Sequence, residues 1–297
     1  MNPNTLGIIY GILAYTTWGL LPLFWEPLGE LNSLVVSAHR LVWGTATLLV
    51  VLAVTGRIKT LTQKLRDPKT VILSFLTGSL LCANWVIYIW AIHNGRVVSI
   101  SLGYFIMPLM YIVIGYFMLK EAMSRVQIIA VGIASIGVFM QGIGIGNIPW
   151  AAILVAITFA IYGVSKKKLK TDGLSALTLE VGLLSPFAIA YLYYFQQNLN
   201  SSTTSIWMDG SATSITLIIL TGVATITPLL FFTAAAKRIP LNLLGMLQFI
   251  APTGQFLLGV MYYHEKINSH QVIAFSLIWL AIIIYSISKT KLVRSHS

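Results

Sequence analysis

The sequence predicts an all-α polytopic membrane protein of ten transmembrane helices, arranged as two inverted five-helix repeats. Three observations carry that expectation. Of the 297 residues, 57% are apolar and only 9% are charged, against about 25% charged in an ordinary soluble domain. Ten apolar stretches each approach the ~20 residues that a helix needs to cross ~30 Å of hydrocarbon at ~1.5 Å per residue. Lys and Arg crowd into alternate loops between those stretches. The composition excludes a globular soluble enzyme, a nucleic-acid-binding module and a disordered chain.

The first stretch, 6–25, follows an N-terminus with no basic n-region and contains no small-residue cleavage site. It therefore reads as a helix that stays, not a signal peptide. The second, 33–55, carries His39 and Arg40, and the third, 71–91, carries the single cysteine, Cys82, which leaves no intrachain disulfide to form. The fourth, 98–119, has Pro108 near its middle. The fifth, 126–143, presents Ala130, Gly132, Ala134 and Gly137 as small-residue packing surface. The remaining five are 148–165, 174–195 with Glu180, 213–236, 241–263 with Pro252, and 271–288. The stretch 196–212, rich in Gln, Asn, Ser and Thr, is the only long polar connection and is expected to be mobile.

Sixteen of the nineteen Lys and Arg lie in the 56–70 loop, the 120–125 turn, the 166–173 loop, the 237–240 turn and the C-terminal tail. The opposite face holds only Arg96 and Lys266, and Arg40 lies inside a helix. Short loops rich in Lys and Arg stay in the cytoplasm. The expectation is a multi-pass protein of the cell membrane with both termini cytoplasmic and an even number of spans. The net charge of +11 belongs to this asymmetry, so no nucleic-acid partner is expected.

An internal repeat organises the spans. Residues 105–130 read Phe105-Ile106-x-Pro108, then Gly115, Glu121, Gln127, Ile129 and Ala130; residues 249–274 read Phe249-Ile250-x-Pro252, then Gly259, Glu265, Gln271, Ile273 and Ala274. The offset is 144 throughout, without a gap, and Trp18-Gly19 matches Tyr162-Gly163 at the same offset. Apolar identities are cheap in such sequence, but Pro, Glu and Gln in register are not. The chain divides into repeats 1–147 and 148–297, and because five is odd the second enters the membrane from the opposite side. Inverted repeats are the architecture of secondary transporters, with the substrate site near the midplane between them. The alternative is an old duplication in a non-transporting scaffold.

The motifs resemble those of the RarD-type branch of the drug/metabolite transporter superfamily, whose members consist of two EamA repeats. The resemblance is carried by Trp18-Gly19-Leu20-Leu21-Pro22, Ala38-His39-Arg40-Leu41-Val42-Trp43, Ala83-Asn84-Trp85, Ser101-Leu102-Gly103-Tyr104-Phe105-Ile106-x-Pro108, Leu177-Thr178-Leu179-Glu180, Phe232-Thr233-Ala234-Ala235-Ala236 and Gln248-Phe249-Ile250-Ala251-Pro252-Thr253. It implies ten helices with both termini cytoplasmic, and small organic solutes (amino acids, nucleotide sugars, drugs, metabolites) as substrates. Val35 and Ser99 depart from the pattern, since relatives carry carboxylates there. If those acids carry protons in relatives, coupling here differs or is absent.

Polar residues within the spans are the candidate site, because an ionisable group at mid-helix costs ~2.5–3.5 kcal/mol and by default faces a cavity or a partner. Arg40 lies about 10 Å below the outer surface at ~1.5 Å per residue, and its planar fork suits a carboxylate or phosphate. The alternative is a structural or snorkelling Arg. His39 points about 100° away around the helix and reads either as a switchable charge or as a packing residue. Glu180 is the only carboxylate well inside a span and is a candidate proton carrier, or else a hydrogen-bonded structural acid. Tyr15, Trp18, Asn84, Trp85, Tyr88, Tyr104 and Gln248 form a polar and aromatic group suited to lining a solute cavity. Trp25, Trp150 and Trp207 lie at segment ends and read as interfacial belt. Pro108 and Pro252 are expected to kink their helices, either as gating elements or as shapers of the bundle. Glu121 and Glu265 end those helices and are expected to tie loops.

No Gly-x-x-x-x-Gly-Lys-[Ser/Thr] run, zinc-protease spacing, nucleophile elbow or acidic ligand cluster occurs. No cofactor and no metal are expected, and no enzymatic activity. The function expected is secondary transport of a small organic solute by alternating access, with protons or another ion as possible coupling partner. The alternatives are an integral membrane enzyme acting on a lipid, or a passive channel. The inventory of titratable groups is thin for the first, and the aromatic walls are unlike the polar pore of the second.

Overall fold

The computed structural model describes residues 2–28, 31–93, 97–142, 150–168, 172–197, 211–262, 264 and 269–294. Expectations that rest on Arg96, Lys170, the 198–210 stretch with Trp207, Glu265 and Lys266 lie outside those residues. The helices in order are α1 (Pro3–Trp25), α2 (Ser33–Val54), α3 (Ile58–Leu65), α4 (Pro68–His93), α5 (Val97–Phe117), α6 (Arg125–Gly142), α7 (Trp150–Lys168), α8 (Gly173–Gly182), α9 (Ser185–Gln197), α10 (Ala212–Ala236), α11 (Leu241–Gln248), α12 (Ile250–Met261) and α13 (Ser269–Arg294). No strand occurs among the described residues.

Seven helical segments among the described residues are long and apolar enough to cross a membrane: Pro3–Leu28, Leu34–Val54, Pro68–Tyr88, Trp150–Lys167, Gly173–Gln197, Ala212–Ala236 and Leu241–Leu258. Three shorter apolar helices, Gly103–Phe117, Arg125–Met140 and Val272–Ser288, fall where three further spans are expected. Large apolar side chains such as Phe117, Phe139 and Phe187 stand exposed on the outside of the bundle. That is the inside-out pattern that lipid permits and water does not. The protein is a multi-pass membrane protein.

Caps and prolines set the helix ends. Side chains of Asn2, Asn32, Asp172 and Ser211 accept hydrogen bonds from backbone amides at the starts of α1, α2, α8 and α10, where the first-turn N–H groups have no partner within the helix. Two expected continuous spans are broken. α8 ends at Gly182 and α11 ends at Gln248, each four residues before a proline, Pro186 or Pro252. A proline cannot donate to the carbonyl four residues back and its ring collides with it. Both prolines therefore sit in the first turn of a new helix, where a missing N–H costs nothing. Pro108, by contrast, lies inside an uninterrupted α5. Its carbonyl is approached so closely by Gly245 of α11 that a Cβ there would stand 2.6 Å away.

Two regions expected as loops are helical. α3 occupies the basic 56–70 stretch and buries Leu61 against Leu52 and Leu179. Lys166, Lys167 and Lys168 belong to the last turn of α7. In α6, Ala130, Ala134 and Gly137 do pack, Gly137 lying against Ala274 of α13. Gly132 faces open space and takes no part in that surface.

Helix contacts exchange in pairs between the halves. α1 packs on α10 as α7 packs on α4; α1 on α12 as α7 on α5; α2 on α10 as α8 on α4. α6 packs on α13, α5 on α11, and α2 on α8 and α9, each an element meeting its own counterpart. The Ser185 hydroxyl donates to the carbonyl of Leu41 at 3.3 Å, and these residues are themselves 144 apart. Lys120 and His264, again 144 apart, are the residues other than glycine with positive φ among those described, at 53° and 52°.

Candidate functional site

Between α1, α2, α4, α5, α7, α10 and the α11–α12 break lies a cavity of about 500 Å³. Arg40 on α2 is its charged centre. Its guanidinium carbon lies over two indole rings, 4.8 Å from the ring centre of Trp25 and 4.4 Å from that of Trp85. Its Nε donates to Thr225 Oγ1 at 3.0 Å. Among the described residues no carboxylate lies within ion-pair distance of it. Stacking on rings leaves the edge of a guanidinium open for two parallel hydrogen bonds to a planar anion.

Tyr88 and Tyr104 meet edge to face at 5.6 Å and form part of the wall. Asn84 also lines the cavity, but its amide donates to the Val155 carbonyl at 2.8 Å and to Thr158 Oγ1 at 3.1 Å, which spends it on tying α4 to α7. At the α11–α12 break, Gln248 directs Nε2 to Met107 Sδ at 3.3 Å and leaves Oε1 without a partner; the buried hydroxyl of Tyr15 has none either. Gln255, also on the wall, donates to the Trp18 carbonyl at 3.3 Å.

The floor is aromatic. Phe232, fully buried, packs within 6.4 Å centre to centre of Tyr15, Trp18, Phe159, Tyr162 and Tyr111. Beneath it the Tyr162 hydroxyl donates to Glu180 Oε2 at 3.2 Å, Thr77 donates to Oε1 at 2.8 Å, and Lys166 Nζ closes on Oε2 at 2.6 Å with both charged side chains 0% exposed. Glu180 is thus held by three partners at the far side of the floor, away from the cavity. Nearby, Glu121 accepts from the backbone N–H groups of Leu241 and Asn242 at 2.8 and 2.9 Å and pairs with Lys167 at 3.0 Å. It caps α11, where a carboxylate meets the positive helix end.

Of the residues expected to bind solute, Arg40, Trp18, Tyr15, Asn84, Trp85, Tyr88, Tyr104 and Gln248 line one cavity, as does Pro252. His39 is buried elsewhere and does not line it. Trp25 is not merely belt: it covers one face of Arg40. Lys166 is not a loop charge but the buried partner of Glu180. Sequence reasoning missed Phe159, Thr225, Leu229, Met107 and Gln255. The repeat offset from expected site residues could have found two of them, Phe159 and Leu229. Phe159 is the counterpart of Tyr15, Leu229 of Trp85 and Gln248 of Tyr104, while Ala251 and Met107 are counterparts of one another, and all eight line the cavity.

A profile of the EamA-like transporter family matches residues 5–142 and again 148–287. The chain belongs to the EamA-like transporter family. Within it, the chain is 38% identical over 95% of its length to "Protein RarD" of Streptomyces exfoliatus, covering 89% of that protein. It is 37% identical to the "Uncharacterized transporter YojE" of Bacillus subtilis (strain 168), with 96% of this chain and 95% of that one aligned. These relatives place this EamA-like protein in the RarD-type branch. A solved crystal structure superposes with a TM-score of 0.74 over 96% of this chain and 98% of its own, at 17% identity, and so shows a shared fold.

Proposed function

We propose that this protein is a secondary transporter of a small organic solute in the cell membrane, working by alternating access between two inverted five-helix repeats, 1–147 and 148–297. Ten spans with both termini cytoplasmic follow from the alternation of Lys and Arg between loops. The observation that carries the reading is the cavity lined by counterpart residues of the two repeats, Tyr15 with Phe159 and Tyr104 with Gln248. A site built from equivalent positions of two oppositely oriented halves can be opened to either side by exchanging their conformations. Trp18, Pro22 and Val36 also line the cavity, whereas their counterparts Tyr162, Lys166 and Glu180 are fully buried; this asymmetry is what a carrier with one vestibule open and its equivalent shut requires. Counterflow in proteoliposomes tests the proposal: labelled solute should exchange against unlabelled solute across the membrane, and product formation without exchange would instead mark an enzyme.

A further inference from the structure

The proposed transport site also constrains what it carries, and the constraint starts from charge. Among the described residues that line the cavity, Arg40 is the one cationic side chain and Glu26 the one carboxylate. A half-buried guanidinium within a span, with no carboxylate within ion-pair distance among the described residues, is satisfied by an anion brought by the ligand. With Trp25 and Trp85 against the guanidinium and Nε engaged by Thr225, the Nη nitrogens are left for a ligand, which suits a planar two-oxygen group. A second negative charge would find no second cation among the described residues of the wall, so a monoanionic carboxylate fits better than a dianionic phosphate. Aromatic walls attract cations as well as apolar bodies, but a cation would leave Arg40 uncompensated.

The other end is defined by hydrogen bonding. The Tyr15 hydroxyl and Gln248 Oε1 are buried without a hydrogen-bond partner among the described residues, in residues 0% and 4% exposed. Turning the Gln248 amide over would only change which of its atoms is orphaned. Buried polar atoms without partners are rare enough to mark a place for a ligand group. Tyr15 and Trp25 are ten residues apart on α1, about 15 Å at ~1.5 Å per residue, so the two polar ends of the cavity are well separated.

We propose that the cavity takes an elongated organic monocarboxylate, with the carboxylate on Arg40, an aromatic body against the ring walls and a hydrogen-bonding group at the Tyr15–Gln248 end. This rests on reading the cavity as a transport site, and binding is measured separately from transport for that reason. Isothermal titration calorimetry of the purified full chain in nanodiscs compares 4-hydroxycinnamate with cinnamate, 4-hydroxycinnamamide, phenyl phosphate and tyramine. The acid should bind about tenfold or more tightly than its neutral amide, and severalfold more tightly than cinnamate. Arg40→Lys should weaken the acid about tenfold and Arg40→Gln abolish its advantage over the amide. Gln248→Leu should erase the difference between 4-hydroxycinnamate and cinnamate, with melting temperatures confirming that each variant folds. The ligand comparison on the unaltered protein decides the matter where a variant does not fold. Equal binding of acid and amide, or tighter binding of the phosphate or of tyramine, overturns the proposal. Equal binding of the two acids overturns its hydrogen-bonding end. Binding of the acid without counterflow would overturn the transport reading and leave the site standing, whereas counterflow of tyramine without binding of the acid would do the reverse.

Discussion

At the scale of single residues, the buried pair of Lys166 and Glu180 is the most costly feature outside the cavity. Both charges are fully withdrawn from solvent and meet at 2.6 Å, and desolvation of such a pair consumes much of its Coulomb gain. Removing one partner leaves an uncompensated charge, so Lys166→Met or Glu180→Leu alone should lower stability by ~3–5 kcal/mol, while the double variant should recover most of that loss. Denaturant unfolding of the four proteins in mixed micelles measures this; single variants costing under ~1 kcal/mol would mean that the two groups are not an ion pair. Lys166 was not legible in the sequence, because a run of three lysines at the end of an apolar stretch reads as a loop. Only tertiary packing puts it opposite a carboxylate fourteen residues on. Arg40 was legible for the converse reason: its isolation within an apolar helix requires a cavity or a partner. Trp25 misled because a tryptophan at a helix end usually marks the membrane interface, and here the neighbouring helix brings Arg40 to its face.

At the scale of elements, prolines decide where the spans break. The breaks after Gly182 and Gln248 obey one rule, a proline four residues on. That signal was present in Ser185-Pro186 as plainly as in Pro252, although the helix 174–195 was expected to run through. Pro108 shows why the rule is not sufficient, since α5 continues across it. The difference is packing, with α11 pressed against the Pro108 carbonyl through Gly245. Pro252→Ala restores a donor for Gln248, so the 241–261 segment should become more continuous and Gln248 should lose its place at the cavity. The expected outcome is an unchanged or raised melting temperature with slower solute exchange. Exchange at the parental rate would mean that the break shapes the bundle without serving its motion.

At the scale of the whole molecule, the repeat was legible because Pro, Glu and Gln stayed in register over 144 residues, and it anticipates the paired exchange of helix contacts. What sequence could not give was which of two equivalent positions meets the cavity, because that depends on how the repeats have diverged: Trp18 and Val36 line space where Tyr162 and Glu180 are sealed. Orientation is testable with single cysteines at Gln63 and Ala212 in a Cys82→Ser background, both exposed positions. A membrane-impermeant maleimide should label the second from outside and the first only after permeabilisation; labelling from the same side would remove the inverted arrangement. Arg40 carries a further consequence for the transport cycle. Its counterpart in the second repeat is Leu184, so in a carrier alternating between two faces the empty form and the form with an anion seated at Arg40 differ by one unit of charge. A membrane potential weights each elementary charge that crosses its field by ~2.3 kcal/mol per 100 mV. One-for-one exchange should therefore be indifferent to voltage, while net movement of solute, which requires the empty protein to return, should speed up or stall with the sign of the potential set by valinomycin and potassium.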